Sequence, residues 1–347
     1  MHPFTLDPTR LDPPETLVGA ILTEEVSANG RRLFHKGHRL TEGDLDAVGT
    51  VGRPIHAVRL SPDDVHEDEA GRRLATAVSG ERIEIRGPVQ SRYNLVAAGK
   101  GLLRVDAVAV IALNGLDGVA VFTLQDRLPV LPGKIVGGAK ITPVAIPEAT
   151  LGAAETLVAS RPRPVVRVAP FRPLVVGVVT TEGMSDRVRD RFQETVRHKI
   201  GWYGSQVLRF VDLPNDTRAV ATAVEELIAE GANLVLTAGG NTIDPLDPAL
   251  LALDRLGAEM VSFGAPAHPG SMFWLAYRGH VPIFNLASCS MYSKATVADL
   301  ILPWVMAGER VTRHDLAALG YGGLLDRDMG YRFPAYDVDR VDEPDEE

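Results

Sequence analysis

Two aspartates three residues apart, Asp244 and Asp247, stand in a run that reads TAGGNTIDPLDP from Thr237 to Pro248. Adjacent Gly239 and Gly240 allow the backbone to approach an anion closely, and Asn241 and Thr242 add side-chain donors. The two carboxylates suit a metal or nucleotide site, and they equally suit a turn residue and a helix cap ahead of PALLALDRL. A second run, TTEGMSDRVRD from Thr180 to Asp190, puts Thr181, Glu182 and Gly183 ahead of a helix-starting Ser-Asp pair. A third, GAPAHPGSMF from Gly264 to Phe273, puts Pro269, Gly270 and Ser271 at an expected helix start, where free amides and the helix dipole favour a phosphate.

The segments that must position these runs are short and apolar. LVVGVVTT, SQVLRFV, NLVLT, MVSFG and VPIFNLA read as strands, several of them buried on both faces. Between them lie helices from Ser185 to about Lys199 and from about Arg218 to Glu230, the latter capped by Asp216 or Thr217. Alternation of this kind implies an α/β fold, a three-layer α/β/α arrangement around a mostly parallel sheet. Ligands of such sheets bind outside the carboxyl ends of the strands, and the three runs follow strands.

The rest of the chain divides by composition. Residues 1–60 read as a small α+β module, and 61–159 as a helix, capped by Asp63 or Asp64 and reaching about Val78, followed by β-rich sequence in which GLLRVDAVAVIAL is taken as strand. Residues 160–173, SRPRPVVRVAPFRP, carry four prolines and four arginines and read as a linker. The α/β domain occupies 174–324 and an acidic tail 325–347, of which DVDRVDEPDEE, from Asp337, has almost nothing to bury and is expected to be mobile.

At 347 residues the chain has room for about two domains. A formal net charge of -9 argues against a nonspecific polyanion binder, so nucleic acid is not an expected partner. The opening MHPFTLDPTRLDPPETL has no basic segment followed by an apolar run, and no stretch is long enough to span a bilayer; a cytoplasmic location without membrane contact is the expectation. The single Cys289 excludes internal disulfides and thiolate zinc frameworks.

The run from Leu174 to about Leu324 resembles the molybdenum-cofactor biosynthesis domain found in molybdopterin adenylyltransferases and molybdotransferases. TAGGNTIDPLDP is similar to that family's Thr-Gly-Gly loop with its downstream aspartate, and APAHPGSMFWLAY to its Pro-Gly loop, there entering a helix. The closing ATVADLILPWVMAGERVTRHDLAALGYGGL, with DDVHEDEAGRRLA at Asp63 to Ala75, resembles a longer two-part group of molybdopterin-binding proteins. The resemblance implies that Thr237, Gly239, Gly240 and Asn241 contact molybdopterin or its terminal phosphate. Asp244 and Asp247 would stand nearby, with magnesium and ATP in any transferase reaction, and Gly270 and Ser271 would line the opposite wall. It also implies a homo-oligomer, with a molybdoenzyme or biosynthetic protein as partner. Three departures bear on turnover. Ala238 replaces a glycine, Thr242 stands where glycine is common, and ASCSMYSK lacks the family's Leu-Pro-Gly turn, leaving Ser288, Ser290 and Lys294 for phosphate contact.

Other residues have plain structural readings beside functional ones. His66, Glu67 and Glu69 suit a helix first turn better than a metal, Arg187, Arg189 and Arg191 a solvated face, and Cys289 a small buried apolar position. His268 fits a solvated loop, and Phe273, Trp274 and Tyr277, at helical spacing, fit core packing. Three functions remain open: a molybdopterin binder in cofactor synthesis or delivery, a catalyst of adenylyl transfer or molybdate insertion, and a noncatalytic pterin or nucleotide sensor.

Overall fold

The computed structural model describes residues 1–8, 17–181, 183–239, 244–286, 296–325 and 327–339. It falls into two compact units. The first comprises Met1–Ala98, Arg104–Asp126 and Lys134–Arg167; the second comprises Gly99–Leu103, Arg127–Gly133 and the chain from Val168 onward. Among the described residues no helix is long and apolar enough to cross a membrane.

In the first unit a three-stranded antiparallel sheet places Ile55–Arg59 between His2–Leu6 and Ile21–Leu22. Leu6, Leu22, Leu40 and Ile55 belong to its small core. A four-stranded antiparallel sheet runs in the order Val119–Thr123, Ile135–Ile141, Arg92–Ala97, Ile83–Val89. Helix Glu67–Val78 buries Ala70, Leu74 and Val78. Two expectations are corrected here. That helix does not begin at Asp63 or Asp64, because Asp64–His66 pairs with Ala145–Pro147 as a short strand, and the His66 ring caps the helix by accepting from the Asp68 amide at 3.3 Å. AVAVIAL is a helix, Ala107–Asn114, because Asp106 Oδ1 accepts from the Ala109 amide at 3.0 Å and ends the preceding strand at Val105. Alternating small and branched residues fit either template, and the cap decides between them.

The second unit contains β1 (Val175–Thr180), α1 (Asp186–Trp202), β2 (Gln206–Asp212), α2 (Thr217–Ala229), β3 (Leu234–Ala238) and α3 (Pro248–Arg255). It continues with β4 (Glu259–Phe263), β5 (Trp274–Arg278), β6 (Val281–Leu286), α4 (Val297–Met306) and α5 (Arg313–Ala318). The six strands form one sheet in the order β2-β1-β3-β6-β5-β4. β2, β1, β3 and β6 run parallel, while β5 is antiparallel to both its neighbours, so β4 points the same way as the other four. On one face, Phe192, Val196 and Ile200 of α1 and Ile301 of α4 belong to one core with Val178, Leu236 and Phe284. On the other, Val220, Val224 and Leu227 of α2 and Leu253 of α3 share a core with Val179, Val235 and Ile283. Successive strand residues thus bury opposite faces, which is why these strands are continuously apolar. The architecture is α/β, three-layered around a mostly parallel sheet.

Three sequence expectations change in this unit. Residues 274–278 form strand β5 and not a helix. Trp274 and Ala276 enter one core while Leu275 and Tyr277 enter the other, and Gly279, at φ 61°, with His280 closes a tight hairpin into β6. An apolar run buried on both sides has no period to separate the two assignments. The Pro/Arg segment contains a strand, Val166–Pro170, because its prolines at 162 and 164 precede the pairing residues and Pro170 is the last of them. The tail assigned from 325 begins as part of the core: Leu325, Phe333 and Tyr336 are buried against α1 and α4, and the Trp202 indole donates to Val338 O at 3.1 Å.

Candidate functional site

The parallel register brings the ends of the strands together. Thr180 stands opposite both Asp212 and Ala238, and Ala238 opposite Leu286. The chain therefore leaves β1, β2, β3 and β6 along one sheet edge, and β4 ends on that edge as well. Two of the three runs singled out above meet directly there, since the Thr181 amide donates to Ala238 O at 3.0 Å.

The first run is held from beneath. Thr180 is buried and its hydroxyl donates to the Asp212 carboxylate. Arg189, one turn into α1, reaches the other Asp212 oxygen at 3.2 Å, Asp186 at 2.9 Å and Met184 O at 3.2 Å. It ties the run to the end of β2 instead of joining a solvated face, whereas Arg187 and Arg191 are exposed. Thr181 is half-buried and Gly183 exposed; Glu182 lies outside the described residues.

In the second run Thr237 is buried within β3, so the first position with accessible backbone is Gly239, at φ 115°. Gly240, Asn241 and Thr242 lie outside the described residues. Both aspartates have structural roles in this fold. Asp244 Oδ1 accepts from the Leu246 amide at 2.9 Å, and Asp247 Oδ1 caps α3 by accepting from the Ala249 amide at 2.8 Å. Asp247 is only 5% exposed. Burial pushes its carboxyl above the usual range, against the pull of the Ala249 and Leu250 amides, and nearby Asp244 adds to the rise. Among the described residues no three His, Cys, Asp or Glu side chains converge to hold a metal.

The third run, from Gly264 to Phe273, connects β4 to β5 and lies on the same edge. The Ala265 amide donates to Ser271 O at 3.0 Å and the Phe273 amide to Gly270 O at 3.1 Å, forming a turn around Ser271 and Met272. Gly270 adopts φ 110°, and a Cβ there would stand 2.7 Å from the Val297 amide nitrogen at the start of α4. Outside, the His268 amide donates to Gly323 O and the Leu325 amide to His268 O, both at 2.8 Å, which gives the GYGGL segment a role as a brace for this loop. Because β5 is a strand, the helix dipole expected at Gly270 and Ser271 is absent. Phe273, Trp274 and Tyr277 are buried as core, and Tyr277 OH accepts from the Val311 amide at 3.0 Å. Pro269 is half-buried, His268 and Ser271 are exposed, and Ser288, Cys289, Ser290 and Lys294 lie outside the described residues.

Two features had no signal in the sequence. Asn285 in β6 is buried, and its side-chain amide bonds to Met272 in the third run and to Trp274 at the start of β5. Asp299 is buried in the first turn of α4, where it accepts from Lys199 Nζ at 2.7 Å, Tyr336 OH at 2.9 Å and Thr296 Oγ1 at 2.9 Å. Beside that ion pair, α1, α4, β3 and β6 enclose a cavity of about 30 Å³ lined by Phe192, Leu236 and Phe284. It has room for water and is far below the volume of a small-molecule site. In the first unit, His66 caps its helix, Glu69 pairs with Arg72 at 2.8 Å, and Glu67 is buried.

No family model matches the chain, and no curated protein does. Among solved structures, the chain is similar over part of its length to proteins of molybdenum or tungsten cofactor synthesis. The tungsten cofactor synthesizing protein MoaB from Pyrococcus furiosus is 20% identical, with a TM-score of 0.27, over 34% of this chain and 84% of its own. Molybdenum cofactor biosynthesis protein B is 22% identical, with a TM-score of 0.32, over 40% of this chain and 93% of its own. The molybdopterin biosynthesis MoeA protein from Pyrococcus horikosii is 13% identical, with a TM-score of 0.31, over 70% of this chain and 78% of its own.

Proposed function

We propose that the second unit binds molybdopterin, with the terminal phosphate at the sheet edge where β1, β3 and β6 end, in the service of molybdenum cofactor biosynthesis or delivery. The observation that carries this reading is the shared edge: Thr181 and Gly239 are neighbours across it, and the turn at Ser271 opens on it. Backbone amides at glycine-rich turns recognise anionic oxygen without a fixed positive charge, which suits a phosphate on a protein with net charge -9. Thr181, Gly183, Gly239, Pro269, Gly270 and Ser271 form the described part of the proposed surface. Glu182, Gly240, Asn241, Thr242, Ser288 and Ser290, which lie outside the described residues, are proposed as ligand contacts on the sequence resemblance alone. Thr237 contributes through the strand it belongs to.

Binding is favoured over turnover by the aspartates. Asp247 is buried as a cap and Asp244 accepts a turn amide, so both carboxylates have structural roles in the fold. The test is to purify the protein from a molybdopterin-producing host, denature it under oxidising conditions and quantify the fluorescent pterin released. A stoichiometric signal is expected; none, even after molybdopterin is added to the apo protein, would end the reading. Incubation with molybdopterin, ATP and magnesium then separates the alternatives. Pyrophosphate release would establish adenylyl transfer, and ATP binding in the absence of pterin would establish a nucleotide sensor.

A further inference from the structure

Backbone pairing between β5 and β6 ends at Leu275 and Phe284. One residue further along β6, Asn285 is 1% exposed and continues the pairing with its side chain. Its Oδ1 accepts from the Trp274 amide at 2.7 Å and its Nδ2 donates to Met272 O at 2.9 Å. A side-chain amide has the same donor and acceptor as a peptide, so Asn285 replaces the missing rung and holds both ends of the Met272–Trp274 backbone. A buried amide bonded at both its oxygen and its nitrogen is costly to disturb, because loss of either partner strands a polar group away from water.

That hold determines which way the preceding turn faces. The carbonyls of Gly270, Ser271 and Met272 are all engaged, by Phe273, Ala265 and Asn285 respectively. A trans peptide points its N–H opposite to its C=O, so the Ser271 and Met272 amides are turned away from the Phe273 and Ala265 donors that hold the carbonyls of the same peptides. Among the described residues neither amide has a hydrogen-bond acceptor, and both residues are exposed at the sheet edge. Two successive free amides in a fixed turn make an anion-binding concavity.

We infer that Asn285 is the positioning residue of this turn, presenting the Ser271 and Met272 amides to anionic oxygens of the bound ligand. The inference rests on the reading of the sheet edge as a phosphate-binding surface, and it assigns to the turn the donors that a helix start was expected to supply.

The test uses the full-length chain and three variants. Asn285→Ala removes both bonds, Asn285→Asp keeps the acceptor and loses the donor to Met272, and Val281→Ala weakens the same hairpin away from the turn. Pterin content after purification, thermal midpoint and hydrogen exchange of residues 264–274 are read for each. Asn285→Ala is expected to lower pterin content about tenfold and Asn285→Asp by less, with faster exchange confined to 264–274, while Val281→Ala lowers the midpoint and keeps its pterin. Wild-type pterin content in Asn285→Ala, or an equal loss in Val281→Ala, overturns the inference. If the wild-type chain itself holds no pterin, the functional reading falls separately. Exchange then decides the positioning role: acceleration confined to the turn upholds it and unchanged exchange overturns it.

Discussion

Gly270 packs against the first residue of α4 so closely that a Cβ on it would stand 2.7 Å from the Val297 nitrogen. The contact joins the third run to the helix that comes after β6, and it explains why glycine occupies this position beyond its φ of 110°. Gly270→Ala should cost about 2–4 kcal/mol and remove bound pterin. Gly204 provides the comparison, since it also has a positive φ, 74°, but a Cβ there meets nothing within 4 Å. Gly204→Ala should cost about 1 kcal/mol and leave pterin in place. Denaturant unfolding of both variants checks the pair, and equal losses would show that the contact with Val297 is unimportant.

Asp247 predicts a dependence on pH. Its carboxyl is raised in the folded chain, so the folded state holds its proton longer than the unfolded one. Stability from this group is greatest at low pH and falls as pH rises from the ordinary aspartate value through the raised one. Asn at 247 can still accept from the Ala249 amide, so Asp247→Asn should flatten that fall, whereas Asp247→Ala should cost about 0.5–2 kcal/mol through loss of the cap. Unfolding midpoints measured at several pH values check both. A steeper fall in the Asn variant would contradict the burial argument.

Glu67 behaves similarly in the first unit. It is 1% exposed and neither carboxylate oxygen makes a regular hydrogen bond. Burial raises its carboxyl, opposed by the Ser91 hydroxyl, Lys36 and His66. Ionisation therefore costs more in the folded chain than in the unfolded one, and stability is lost as pH climbs above the ordinary glutamate value. Glu67→Gln should raise the melting temperature at pH 7.5 by about 2–4 °C and shrink the advantage at pH 5. Calorimetry at the two pH values measures this, and a lower melting temperature at pH 7.5 would mean that the ionised group is stabilising.

The C-terminal segment should behave as part of the fold. Phe333 and Tyr336 are buried, and Tyr336 OH donates to Asp299 beside Lys199. A chain ending at 332 should lose about 3–6 kcal/mol relative to one ending at 339, from two aromatic side chains. Asp299→Ala should cost about 3–5 kcal/mol by leaving the lysine unpaired, and the double variant Lys199→Met with Asp299→Leu should recover much of that. Denaturation curves for the four chains decide; no difference between the two truncations would mean that the burial of Phe333 and Tyr336 contributes nothing to stability.

Much of the sheet was legible because its signals are local. The apolar runs of β1, β3 and β6 are short and branched, and Asp216 does cap α2, accepting from the Ala219 amide at 2.8 Å. The glycines that end β3 and open the third turn stand out for the same reason. β5 is not legible because burial on both faces erases periodicity, nor is the Ala107–Asn114 helix, because alternating Ala and Val fit both templates. Arg189 was read as a solvated face, since nothing in DRVRDR announces Asp212, which is remote in sequence.

By itself the sequence determined the alternation of strands and helices and the places where glycine lets the backbone turn, and it offered Asp216 and Asp247 as caps for α2 and α3 among alternatives. These depend on residues within a few positions of one another. Only the tertiary structure decided that Thr181 and Gly239 share an edge, that the third run enters a reversed strand, and that Asn285 holds its turn. These depend on register and on contacts between distant segments, where hydrogen-bond geometry in a packed interior selects one arrangement among the many that local propensity allows.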